Sequence, residues 1–90
     1  MQIKNGIRPV LQADGVVRQV DPVARELEVL VAGDSVSFDV GPECVVTLRG
    51  ERVKLRILQP RDRVRVVYAR DSGTLVATAV DVRSGSSAQP

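Results

Sequence analysis

The chain contains no histidine and no tryptophan, and it has one cysteine, one methionine, one phenylalanine and one tyrosine in 90 residues. Each scarcity removes a class of chemistry. Without histidine, a thiol or hydroxyl nucleophile has no imidazole base to activate it. A zinc site built from clustered Cys and His is likewise excluded. A lone Cys44 cannot form an intrachain disulfide. It follows Pro42-Glu43 and precedes Val45-Val46, the setting of a partly buried small hydrophobe rather than of a nucleophile. Two aromatic rings supply few platforms for stacking bases or sugars. No apolar run approaches the length of a membrane span, and residues 1–9 lack the apolar core of a signal peptide. Taken as given, the chain is expected to be soluble and cytoplasmic, or exported if a leader has been removed.

Acidic residues offer no alternative active site. Asp21, Asp34, Asp62 and Asp71 fall at expected turns, where Asp serves local backbone hydrogen bonding. The glycines are scattered among turns and form no phosphate-cradling motif. No run of oxygen ligands has the close spacing of a calcium loop. The chain is therefore expected to be non-enzymatic, with no cofactor and no metal.

What the chain has in abundance is valine. Its branched side chain is stiff at χ1 and suits a pleated surface, and apolar residues make up 43% of the sequence. Turn signals recur every eight to twelve residues or so, the spacing of an all-β sandwich or barrel. Strands are expected at 15–20, 26–31 and 35–40, the last with Val36, Phe38 and Val40 on one face and Ser35, Ser37 and Asp39 on the other. Gly33-Asp34 reads as a two-residue hairpin connection, and Gly41-Pro42 as a stop. Residues 45–48 and 52–55 flank Arg49-Gly50-Glu51 as a short hairpin. Residues 55–58 either extend that strand or curl into one helical turn before Pro60. Strands at 63–70 and 74–82, joined by Asp71-Ser72-Gly73, complete the set. No segment carries the 3.6-residue period of a long helix.

Five or six short strands must close to hide their edges. A small antiparallel barrel of OB type is expected, with an SH3-like barrel as the alternative. The barrel is assigned to residues 10–83, with residues 1–9 as a polar lead-in and residues 84–90 as a flexible Ser/Gly-rich tail.

Charge is unevenly placed. Residues 49–70 carry eight basic and two acidic side chains, whereas residues 1–48 carry four basic and seven acidic. Arg52, Lys54 and Arg56 alternate with apolar residues, and Arg61, Arg63 and Arg65 repeat the period. With Tyr68, these form the candidate ligand-binding face. If the two sets face solvent together, they make a continuous surface for phosphate or for an acidic protein. A protein partner or a second copy is the preferred ligand class, because Val16/Val17, Leu30/Val31 and Val66/Val67 place apolar groups on both strand faces. Single-stranded nucleic acid is the alternative. It lacks stacking rings, because Phe38 is expected in the core and Tyr68 at the barrel mouth with only its hydroxyl wet.

Gly15-Val16-Val17 with Val20-Asp21, then Leu27-Glu28-Val29, Leu58–Val66 and Gly73–Val80 together resemble a family of small bacterial OB-like domains of unassigned function. The resemblance covers most of residues 14–83 and implies the barrel fold. Similar domains usually have Gly where Arg61 stands, so the turn here is expected to avoid positive φ. Some barrels of similar form are periplasmic copper carriers using His, Met and an aromatic ring. Those ligands are not matched here, and copper binding is not carried over.

Overall fold

The computed structural model describes residues 10–84. The expected lead-in at 1–9 and the part of the expected tail at 85–90 lie outside them. Six strands follow in order: β1 Leu11–Asp21, β2 Glu26–Val31, β3 Asp34–Leu48, β4 Glu51–Val53, β5 Arg63–Asp71 and β6 Thr74–Ser84. A single 3-10 turn, Leu55–Ile57, separates β4 from β5. The sheet runs β2-β1-β5-β6-β3-β4 and closes on itself through an added β2–β3 pairing. The result is a five-stranded barrel with β4 as a sixth strand on its edge.

The expected all-β barrel is thus present, with one change to its pairing. Strands β3 and β6 run parallel, from Asp39↔Val76 to Leu48↔Val82, while every other pairing is antiparallel. The chain reverses once from β3 to β4 and once from β5 to β6, so β6 arrives running the same way as β3.

Alternation along the strands builds the core. Val17, Leu27, Val29, Phe38, Val40, Val64, Val66, Val80 and Val82 point inward and are buried, and Leu55 and Leu58 plug one end. Of the doubled apolar pairs, Val17 and Val66 are core, and Val31 packs against it. Val16, Leu30 and Val67 are only partly buried. Phe38 is core, as expected, and Tyr68 meets its ring edge-on with centroids 5.1 Å apart.

Three hairpins turn on a residue–glycine pair in the left-handed region: Ala32-Gly33, Arg49-Gly50 and Ser72-Gly73. Positive φ at both central positions gives the type I′ turn, whose twist matches that of the flanking strands. The first hairpin therefore sits one residue earlier than the expected Gly33-Asp34, with Val31 opposite Asp34. Gly41-Pro42 does not end β3. The strand continues to Leu48, and its ladder to β6 shifts register between Val40 and Val45. A proline lacks the donor a ladder needs, and an irregular stretch of this kind is where a strand can hold one.

Gly15 marks a close approach of two strands in the wall. At neighbouring Val16, β1 pairs with both β2 and β5, opposite Leu30 and Arg63. A Cβ on Gly15 would lie 2.2 Å from the Leu30 carbonyl oxygen and 2.5 Å from Val29 Cγ1. Only hydrogen fits where the strands approach this closely.

Candidate binding surface

The turn Gln59-Pro60-Arg61-Asp62 positions the middle of the basic segment. Asp62 N–H donates to the Gln59 carbonyl at 3.1 Å, with Pro60 and Arg61 as the central residues. Arg61 has φ of +80°, which corrects the expectation that this turn avoids positive φ. A type II turn requires a left-handed residue at its third position, and here arginine occupies the place glycine would fill without strain. The surroundings hold it there. Arg61 N–H donates to the Val17 carbonyl at 2.7 Å, and Val17 N–H donates to the Asp62 carbonyl at 2.8 Å. The Asp62 side chain is fully buried and accepts Gln59 N–H at 3.0 Å. Its role is the structural turn expected of it.

The candidate residues divide into three groups. Arg65 belongs to the wall. Its guanidinium grips Asp14 through two bonds, Nε to Oδ1 at 2.8 Å and Nη2 to Oδ2 at 3.3 Å. That contact holds Asp14 below the ordinary carboxylate pKa and raises that of Arg65. Arg65 also lies opposite Asp81, which accepts Thr47 Oγ1 at 2.7 Å and Arg83 Nη1 at 2.9 Å. Tyr68 turns inward onto Phe38 and packs against the core.

The third group is Arg52, Lys54, Arg56, Arg61 and Arg63. All five are exposed. Among the described residues, their side chains make no hydrogen bond or ion pair. They do not form the two matched strand faces expected from the alternation. Arg52 lies on β4, Lys54 follows that strand, Arg56 sits in the 3-10 turn, Arg61 in the type II turn and Arg63 at the start of β5. Lys54 and Arg56 come together. With Val53, Ile57 and Gln59 they line a shallow depression. Both also line an adjoining one with Pro22, Arg25, Cys44, Val46, Val53 and Leu55. Arg63 lies apart, in a groove with Asp14, Arg65 and Arg83. Lys54 and Arg56 therefore share one patch and Arg63 belongs to another, while Arg52 and Arg61 line none of these depressions.

Arg25 was not singled out by sequence pattern, yet it ties this end of the barrel together. It adopts φ of +61°. Its Nη2 donates to the Gly41 carbonyl at 2.9 Å, its Nε to the Val40 carbonyl at 3.3 Å, and its own carbonyl accepts Val40 N–H at 2.9 Å. The bend of β3 is clamped to the β1–β2 loop by these bonds. Cys44 lies beside it, half-buried and packed on the core as expected. Burial raises its thiol pKa above the ordinary value, and the Arg25 charge offsets part of that rise.

Val23 is the second residue that sequence reasoning passed over. It is 93% exposed in the β1–β2 loop, where Asp21 Oδ1 accepts the N–H groups of Val23 and Ala24 at 3.1 and 2.9 Å. An apolar residue directly after Asp-Pro, outside any strand alternation, was the available signal. Asp21, Glu26 and Asp39 lie side by side on β1, β2 and β3 at the edge of this loop. All three are exposed.

No protein-family model matches the chain, and no curated protein matches it. Solved structures do. Apo-CusF of Escherichia coli, residues 6–88, superposes with a TM-score of 0.71 at 13% identity, covering 93% of this chain and 99% of that one. CusF with Ag(I), residues 10–88 from the same organism, gives a TM-score of 0.71 at 13% identity, covering 90% and 100%. A further crystal structure of Ag(I)-bound CusF gives 0.67 at 14%, covering 83% and 99%. The likeness spans almost the whole of both chains and is one of fold: the OB-like barrel is shared, which decides against the SH3-like alternative. The donor set for a soft metal is not matched here. Such ions favour thiolate, thioether and imidazole, and this chain has no histidine and a single Cys44. Among the described residues, no group of three or more His, Cys, Asp or Glu is placed to hold a metal ion. No helix among them is long and apolar enough to cross a membrane.

Proposed function

We propose that this barrel is a non-enzymatic binding module whose ligand is a protein, taken at the end formed by the β1–β2 loop, β4 and the 3-10 turn. The observation that carries the reading is the pairing state of the cations. On the barrel wall Arg65 and Arg18 meet carboxylates across a strand pair and Arg83 meets one on its own strand, whereas among the described residues Lys54 and Arg56 stand unpaired over the apolar Val53 and Ile57. Unpaired charge around an apolar floor is the chemistry of a polar-rimmed protein contact. Small-barrel neighbours solved with Ag(I) bound fit the general idea of a binding module. Metal carriage itself is not proposed, because the ligand residues are missing.

Single-stranded nucleic acid retains one supporting feature, the five exposed cations. It lacks the aromatic platforms that contribute about 1–3 kcal/mol per stacked base in such sites, since Tyr68 and Phe38 pack on each other. The two readings separate in one titration. A labelled peptide with a central Val or Leu between Glu and Asp residues is compared with labelled single-stranded DNA and RNA at low and high salt. The peptide is expected to bind, and Lys54→Glu with Arg56→Glu to abolish its binding. Oligonucleotide binding that survives this pair and depends on Arg61 and Arg63, with no peptide bound, would reverse the assignment.

A further inference from the structure

We propose that the protein taken at this end is a second copy of the chain, docked as a two-fold dimer; the inference rests on the reading above and names its partner.

The argument begins with Val23. Nothing in the loop covers this side chain, which is 93% exposed. Asp21 and Glu26 flank it on paired positions of β1 and β2. Asp39 stands opposite Glu26 on β3, so three carboxylates lie in lateral succession on neighbouring strands. Like charges directly opposite one another are destabilising in a sheet, and no ion pair relieves these three among the described residues. This surface is an apolar knob with an acidic collar. Its complement is on the same molecule. The depression beside β4 has an apolar floor of Val53 and Ile57, and its cationic rim is Lys54 and Arg56. Shape class and charge both match: knob to floor, carboxylates to ammonium and guanidinium.

The placement of the two features decides the symmetry. Pro22, which precedes the knob, lines a depression shared with Lys54 and Arg56. Knob and socket therefore lie side by side at one end of the barrel. A patch that holds both members of a complementary pair can meet its own copy about a two-fold axis, each knob entering the other's socket. Such a contact closes at two copies. Features on opposite ends would instead have propagated into an open chain.

The contact is small, in the range of weak encounters below about 1,200 Å², and its rim pairs are open to solvent. Affinity is therefore expected to be modest and to fall about tenfold as salt rises from about 0.05 to about 0.5 M.

Sedimentation equilibrium of the full chain tests this. The wild type is expected to dimerise at low salt. Val23→Ser, Glu26→Lys, and the pair Lys54→Glu with Arg56→Glu are each expected to be monomeric; all these side chains are exposed, so circular dichroism should show each variant folded. The decisive sample is an equal mixture of the Glu26→Lys variant and the Lys54→Glu/Arg56→Glu variant. In the mixed dimer one contact is the unaltered collar on the unaltered rim and the other sets the substituted collar against the substituted rim, so a heterodimer should form, whereas each variant alone meets a mismatched pair at both contacts. A wild type that stays monomeric at about millimolar concentration and low salt would overturn the dimer. So would a dimer indifferent to these changes, or a mixture that fails to recover association. A monomer that still binds the acidic peptide through Lys54 and Arg56 would defeat the dimer alone, whereas loss of both would defeat the underlying reading as well.

Discussion

The barrel wall and the segment from β4 to the type II turn treat their charges in opposite ways. On the wall, Arg65 faces Asp14, Arg83 bonds Asp81, and Arg18 approaches Glu28 at 3.7 Å. Each of these cations meets a carboxylate, and Thr47 adds a hydroxyl to Asp81. Between Arg52 and Arg63, five exposed cations find no such partner among the described residues. The difference follows from sheet geometry. Arg65 and Arg18 find their carboxylates across the β1–β5 and β1–β2 ladders, and Arg83 finds its own two residues back on β6. Strand β4 has only three residues and pairs only with β3, and the chain then leaves the sheet. From Arg52 to Arg61 the unpaired charge lies where pairing strands run out, and Arg63 opens β5 opposite Val16 and Ser84, neither of which carries a charged side chain.

Five experiments would break or sharpen this contrast. The largest effect is expected in the wall. Gly15→Val should cost about 3 kcal/mol or more, since the first added carbon already meets backbone and overpacking on this scale is rarely relieved. Denaturant unfolding measures it; a loss below about 1 kcal/mol would show that β1 and β2 separate more easily than their spacing implies. Leu58→Ala carries the same question into the basic segment. Leu58 is buried in the common core, so a loss of about 2–4 kcal/mol is expected. A much smaller loss would make the 3-10 turn and its flanks a loosely attached flap.

Arg61→Gly should act in the other direction. The left-handed region costs an L-residue about 1–2 kcal/mol, while glycine loses more chain entropy on folding. A net gain of about 0.5–1 kcal/mol is expected by the same unfolding measurement. The smallest effects are titrations. The Cys44 thiol has a folded-state pKa above its unfolded value, so its share of stability is intact below pH 9 and declines as pH rises beyond that value. Alkylation of the folded protein should accordingly be slower than that of an unstructured cysteine peptide at the same pH. For Asp14 the sign reverses. Its lowered pKa adds stability above its ordinary value of 3.8 that is lost as pH falls below it, and Asp14→Asn should flatten that acid limb only slightly because the group is exposed.

Much of the barrel is legible in the residue order. Alternation in Val36-Ser37-Phe38-Asp39-Val40 gives both strand and inward face, since the side-chain period of a strand is two. Arg49-Gly50 and Ser72-Gly73 mark hairpins because glycine tolerates the second left-handed position. Where local signals were read too literally, they misplaced elements. Gly41-Pro42 looked like a stop, but β6 and the Arg25 clamp carry β3 past it. Arg61 lacks the freedom of glycine, but its N–H bond to the Val17 carbonyl holds it at positive φ. The candidate surface was less legible still. Alternation placed Arg52, Lys54 and Arg56 on one line and could not register that the backbone turns helical at Leu55.

The sequence by itself determined the β class, the inward set of valines, the absence of histidine and tryptophan chemistry, and the concentration of positive charge in residues 49–70. These depend on residue type and on short-range period alone. Only the tertiary structure decided which cations remain unpaired, that Tyr68 is turned onto Phe38, and that the loop carrying Val23 stands beside Lys54 and Arg56. Such facts are set by strand register and barrel closure, which bring together residues tens of positions apart and leave no local mark on the chain.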